Sequence, residues 1–225
     1  MFSVTRHPLS TLRGVLAWLT AAFVLLSLAG CDRLDPARLW KEPRELLVDR
    51  VEVARDAQQA AVEEFQTAME KFKAVTNFSG GDLEAQFNTL NKAFTRSEGA
   101  AKNITLRVDR VASAANALLD EWQSELDRYH DTSLRQRAEQ QLNETRSQAV
   151  QLIKAMRQAE EKAKPVLDVF RDQVLFMKHN LNMQAVTSLE NQTAAIETDV
   201  AALIAEMRQS ITEANRFIET LTSGG

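Results

Sequence analysis

The chain has 225 residues, 44% hydrophobic and 26% charged, with 7 Gly, 4 Pro and a single Cys. That composition is too apolar for a disordered chain, and its scarcity of breakers points to long helices. One cysteine excludes an intramolecular disulfide and a cysteine-based metal cluster, and 27 Lys and Arg against 31 Asp and Glu give no general attraction for nucleic acid.

Residues 1–13 carry Arg6 and Arg13 without an acid, and Leu12 to Leu28 is largely apolar, stopping at Leu28-Ala29-Gly30-Cys31. The segment resembles the signal peptide and lipobox of bacterial lipoproteins. Small Ala29 and Gly30 let an extended backbone enter a lipoprotein signal peptidase, and Leu28 fills an apolar subsite. Cys31 supplies the thiol for a diacylglyceryl group, and cleavage then frees its amino group for another acyl chain. Several acyl chains on one residue give durable membrane attachment. Residues 1–30 are therefore expected to be removed and Cys31 to be the lipidation site. Asp32 resembles the sorting signal that retains enterobacterial-type lipoproteins in the inner membrane. That favours the periplasmic face of the inner membrane, with the outer membrane as the alternative. From Cys31 onward 25 Lys and Arg face 31 Asp and Glu, a net charge near −6 that does not draw the whole domain to an anionic surface.

Residues 31–43, with Pro36, Trp40 and Pro43, read as a tether. From Leu47 the apolar positions step by four and three through Val51, Ala54, Gln58, Ala61, Phe65, Ala68, Phe72 and Val75, a heptad lane with one polar interruption. Asn77 to Gly81 ends this helix, and Asp82 is a candidate N-cap for the next. The second lane runs from Leu83 through Phe94, Ser97, Val108, Leu118, Trp122 and Glu125 to Tyr129. Asp131 to Ser133 reads as a turn, with Gln136 placed to complete a capping box on Ser133. The third lane runs from Ala138 through Leu152, Met156 and Phe170 to Met177 and Leu181, with Pro165 inside it. A turn is expected at Asn180-Leu181-Asn182, because asparagine tolerates the left-handed geometry of a helix end. The last lane runs from Leu189 through Val200, Met207 and Ser210 to Leu221. The sequence thus predicts helices at about 44–77, 82–130, 133–179 and 184–222. They form one all-α domain over 44–222, an elongated antiparallel helical bundle or coiled-coil rod of four long helices.

Gly99 and Pro165 lie 32 and 34 residues from Asp131, which places both helix weakeners at one height and predicts a shared bend. The first helix is too short to cover the second, so the end bearing Trp122 and Tyr129 is expected to stand out as a two-helix tip. Trp122 and Tyr129 are candidate partner contacts on a partner-binding or membrane-touching tip, against the plainer reading that both pack on the opposing helix. The run from Phe170 to Asn180 is apolar nearly all round, which makes it either the deepest part of the bundle or a partner-facing surface.

Nothing in the pattern singles out catalytic chemistry. Ser79-Gly80-Gly81-Asp82 lacks the spacing and lysine of a phosphate loop, and the acids are scattered at helical spacing. Ser97, Thr145, Thr193 and Ser210 in the core lanes are expected to bond back to their own helices. His130 and His179 are too far apart in sequence to suggest a metal site, and His179 reads as a cap.

The stretch from about Leu46 to Leu221 resembles a family of uncharacterised proteobacterial lipoproteins bearing a domain of unknown function. The resemblance rests on Leu47-Val48-Asp49-Arg50-Val51, on Phe72-Lys73-Ala74-Val75 leading into Gly80-Gly81-Asp82-Leu83-Glu84, on Asp120-Glu121-Trp122, and above all on Phe170 to Phe176 with Lys178 to Asn182. It implies an envelope location and a helical fold, and brings no activity, cofactor or catalytic residue. The expectation is therefore a non-enzymatic, lipid-anchored scaffold or regulator, without cofactor, metal or nucleic acid, acting through contacts with an unidentified protein. The alternative is a carrier or sensor of an apolar ligand or lipid between the helices; an enzyme acting on envelope polymers comes third.

Overall fold

The computed structural model describes residues 42–223, so Cys31 and Asp32 lie outside the described residues. Four long helices follow one another: α1 (Pro43–Thr76), α2 (Leu83–Glu125), α3 (Thr132–His179) and α4 (Met183–Ser223), with a 3-10 turn at Leu126–Arg128. The described residues contain no strand. Short connections make successive helices antiparallel. Each helix packs along two neighbours, α1 on α2 and α4, and α3 on α2 and α4, giving a square four-helix bundle.

The heptad lanes are the core. Every lane position of α1 from Leu47 to Val75 is buried, Gln58 included. In α3 the lane from Ala138 to Met177 is buried throughout. Phe170 joins three helices: its ring lies edge-on to Phe72 of α1 at 5.5 Å and parallel to Phe94 of α2 at 6.4 Å. Ion pairs cross each of the four seams: Arg96 to Glu64 (2.8 Å), Arg171 to Glu98 (2.7 Å), Lys162 to Glu206 (3.2 Å), and Lys73 to Glu197. These exposed pairs contribute little energy each but mark the register.

Of the two lane serines, Ser97 bonds back to its own helix as expected and Ser210 does not. Ser97 donates to Ala93 of its own helix and also lies 3.0 Å from the Glu64 carbonyl of α1. Ser210 donates instead to the Gln58 Oε1 across the core at 3.0 Å. Both residues are fully buried, and the Gln58 Nε2 has no hydrogen-bond partner. Thr193 does bond back, to the Leu189 carbonyl.

The turns also carry their own chemistry. Gly80 and Gly81 take φ of 148° and 104°, a region only glycine enters without strain, and Asp82 caps α2 by accepting from the Ala85 amide. At the second turn the cap is Asp131 and not Ser133: the Asp131 carboxylate accepts from the Ser133 and Leu134 amides. The turn at Asn180-Leu181-Asn182 exists, but no described non-glycine residue has a positive φ. The asparagines act through their side chains instead. Asn180 Nδ2 donates to the Phe176 carbonyl, closing α3, while Asn182 Oδ1 accepts from the Ala185 amide, opening α4. Asn180, not His179, is thus the cap, and Leu181 leaves the third lane for the turn surface.

Two stability measurements follow. Phe170→Ala, which removes the ring shared by three helices, is expected to lower the unfolding free energy by about 3–5 kcal/mol in urea titration. Ser210→Ala alone strips the Gln58 side chain of its one partner among the described residues and should cost about 1–3 kcal/mol, whereas Gln58→Leu with Ser210→Ala should match or exceed the parent protein.

Candidate functional site

Among the described residues no group of three His, Cys, Asp or Glu is placed to hold a metal ion. The groups with displaced titration among those residues brace helices. Hydrogen bonds to Asp109 and Glu160 raise the Arg157 pKa, and those to Glu98 and Asp168 raise that of Arg171. The bonded hydroxyl of Ser133, then the Leu134 and Ser133 amides, lower that of Asp131. The distinctive surfaces lie instead at the two ends of the bundle.

At one end α1 and α4 stop short. α1 has 34 residues and α4 has 41, against 43 in α2 and 48 in α3. Arg44, in the first turn of α1, sets its guanidinium 5.8 Å from the Trp122 ring centre. Thr220 and Leu221 of α4 line the same recess as Arg44, Trp122 and Thr145. Beyond this level, among the described residues, only the α2–α3 hairpin continues, for about 15 Å at the α-helical rise. It has its own small core of Leu119, Leu126, Ala138 and Leu142, with Trp122 packed against it. The overhang read from helix lengths is therefore present, and its core is separate from that of the four-helix region.

Trp122 and Tyr129 share a lane in sequence but not an environment. Trp122 is half-buried between the small core and Arg44. Tyr129 is 41% exposed. The cause is the 3-10 turn at Leu126–Arg128, where α2 stops five residues before the expected end. A turn of three residues rotates the following side chains off the heptad lane. Leu126 takes the buried place that the lane assigned to Glu125, and Tyr129 swings outward to join Leu134, 47% exposed, at the tip.

The opposite end carries the largest exposed apolar side chains of the third turn. The outward faces there are Leu175 (52% exposed), Phe176 (43%), Leu181 and Met183, while Phe170, Val174 and Met177 point into the core. The apolar run is thus both of the things its sequence allowed, core on one face and exposed surface on the other. Lys178 and His179 rim the surface and are exposed. Sequence reasoning named the run but could not name its outward residues, because the polarity contrast that separates the faces elsewhere is missing.

Between the two ends, the Arg157–Asp109 bridge places Gly99 and Pro165 within about one helical turn of each other in height. Both helices run through these residues without interruption. A groove of about 460 Å³ opens there, floored by Ala101, Ala163 and Leu167 and edged by Lys102 and Lys164.

The model of a family described as "Protein of unknown function (DUF2959)" matches residues 38–221. A search of the curated proteins finds no match.

The Asp131 cap gives a pH-resolved test of the tip. Its carboxyl pKa is lowered in the folded state, so its contribution is present above the ordinary carboxylate range and is lost as pH falls through the folded value. Asp131→Ala is expected to speed amide exchange at Ser133 and Leu134 at neutral pH. In the parent protein the same acceleration should appear only below about pH 4.

Proposed function

The chain belongs to the DUF2959 family, and we propose that it is a lipid-anchored envelope protein whose bundle presents a docking surface to a protein partner without catalysing a reaction. The single observation behind this reading is the apolar surface of Leu175, Phe176, Leu181 and Met183, exposed at the α3–α4 turn. Side chains of this size are exposed singly on many proteins, but four within nine residues around one helix turn are the kind of surface a partner covers. The surface lies at the end away from Arg44, where the described chain begins. With α1 of 34 residues, the patch stands about 50 Å from that starting point. Attachment through Cys31, on the periplasmic face of the inner membrane, would then leave this end free to meet a partner in the envelope.

The patch is flanked by Lys178 and His179, so the partner best suited to it has an apolar surface edged by carboxylates. The fit also explains why the exposed residues alternate with Val174 and Met177. The same helix turns that anchor the surface to the core display it. A rigid bundle costs a partner little ordering on binding.

In-cell crosslinking from a photoreactive residue at Phe176 or Leu175, with Met177 as the buried control, is expected to capture a defined protein. Phe176→Glu should abolish that adduct while leaving thermal stability within a few degrees of the parent, because the side chain is outside the core. Capture of nothing at either exposed position, with the lipidated chain present in the membrane, would sink the docking reading.

A further inference from the structure

We propose that Met183 is an oxidation site: hydrogen peroxide converts its thioether to the sulfoxide and so closes the apolar surface at the α3–α4 turn to its partner. The proposal rests on the docking reading of that surface.

Exposure sets Met183 apart from the other described methionines. It is 54% exposed, whereas Met69 is 6% exposed and Met156, Met177 and Met207 are fully buried. The buried four belong to the main core, where an oxidant reaches sulfur only in the small fraction of molecules that has opened. A peroxide in solution meets the Met183 side chain without any opening. The reaction is a two-electron transfer. The thioether sulfur attacks one peroxide oxygen, an S–O bond forms and the O–O bond breaks. The hydroxide that leaves takes the remaining proton and departs as water. Sulfur is oxidised, hydrogen peroxide is reduced, and no other reactant is needed.

Placement gives the reaction its consequence. Met183 is the first residue of α4, and its carbonyl accepts from the Thr187 hydroxyl at 3.1 Å. Asn182, just before it, accepts from the Ala185 amide at 3.0 Å. Ala185, Val186 and Leu189 carry the buried face of this part of α4. The Met183 side chain therefore adds to the surface that holds Leu175, Phe176 and Leu181, and is no part of the core. A flexible, polarizable thioether adapts to an apolar partner. A sulfoxide is polar, and its oxygen must give up water before a partner can cover it. The same change at Met156 or Met207 would place a polar oxygen in the core and weaken the fold. At Met183 it alters the surface and leaves the fold intact.

The test has two stages. The purified full chain is treated with hydrogen peroxide, and peptide fragmentation in a mass spectrometer assigns each added oxygen. Met183 is expected to be oxidised at least about ten-fold faster than Met156, Met177 and Met207, with the melting temperature unchanged. In cells, a photoreactive residue at Phe176 reports docking. Peroxide given before irradiation should lower its adduct by at least about ten-fold, the loss expected when a covered apolar side chain becomes a hydrated polar one. Met183→Leu keeps the apolar surface without an oxidisable sulfur and should retain its adduct under peroxide. Met183→Gln, polar like the sulfoxide, should lose it without peroxide. Oxidation of a core methionine as fast as Met183 overturns the site. An undiminished adduct from cells in which Met183 carries the oxygen overturns the switch and leaves the docking reading standing. So does an equal loss under peroxide in Met183→Leu, which places the reaction elsewhere. No adduct before peroxide overturns the docking reading, and the switch with it.

Discussion

Phe170 sits where three helices must agree. Its ring is edge-on to Phe72 and parallel to Phe94, so a shift of α1, α2 or α3 by one turn would replace an aromatic contact with a gap. Once that height is fixed, the heptad spacing carries the register outward. Phe65 and Leu47 along α1, Ile104 and Val111 along α2, and Met156 and Leu152 along α3 are all buried. The ion pairs from Arg96 to Glu64 and from Arg171 to Glu98 fall into reach because the seams are already aligned. Their partial exposure means that they follow the register more than they create it.

Fixed register and unequal lengths together produce the two ends. α2 and α3 meet in a hairpin that α1 and α4 cannot cover, and the core divides there into a four-helix part and a two-helix part. A helix pair buries less apolar surface per residue than a bundle of four, so the tip belongs to the less protected part of the fold. Asp131, which caps α3 at that point, has a correspondingly large share in holding the hairpin start. At the other end the short turns bring α3 and α4 together, and the apolar content of residues 174–183 exceeds what the interior there can absorb. Leu175, Phe176, Leu181 and Met183 are the excess.

The bundle also carries polarity where packing alone would not ask for it. Gln58 and Ser210 bond across the α1–α4 seam, and Ser97 reaches the Glu64 carbonyl across the α1–α2 seam. A buried amide with a free donor lowers stability, yet it penalises any shift that separates it from its partner. Such pairs make one alignment of similar heptad lanes preferable to its neighbours one heptad away. The uniformity of the lanes makes that discrimination useful, since several layers consist of Ala, Leu and Val.

The sequence by itself determined the helices, their order and the inward lane of each, because a heptad period with few Gly and Pro admits little else. It also determined that a hairpin would overhang, since counting residues between turns measures helix length. Tertiary structure decided the rest, for physical reasons that lie outside periodicity. Whether Trp122 or Tyr129 is covered depended on a local tightening to 3-10 geometry at Leu126–Arg128, which no residue type announces. Whether Ser210 bonds its own helix or Gln58 depended on which helix stands opposite, information absent from either segment alone. The Asn180–Asn182 turn was visible, but its mechanism, two asparagine side chains capping two helices, appeared only with the backbone angles. The faces of the Phe170–Asn180 run separated only on folding, because a stretch apolar on every side gives periodicity no contrast with which to tell core from surface.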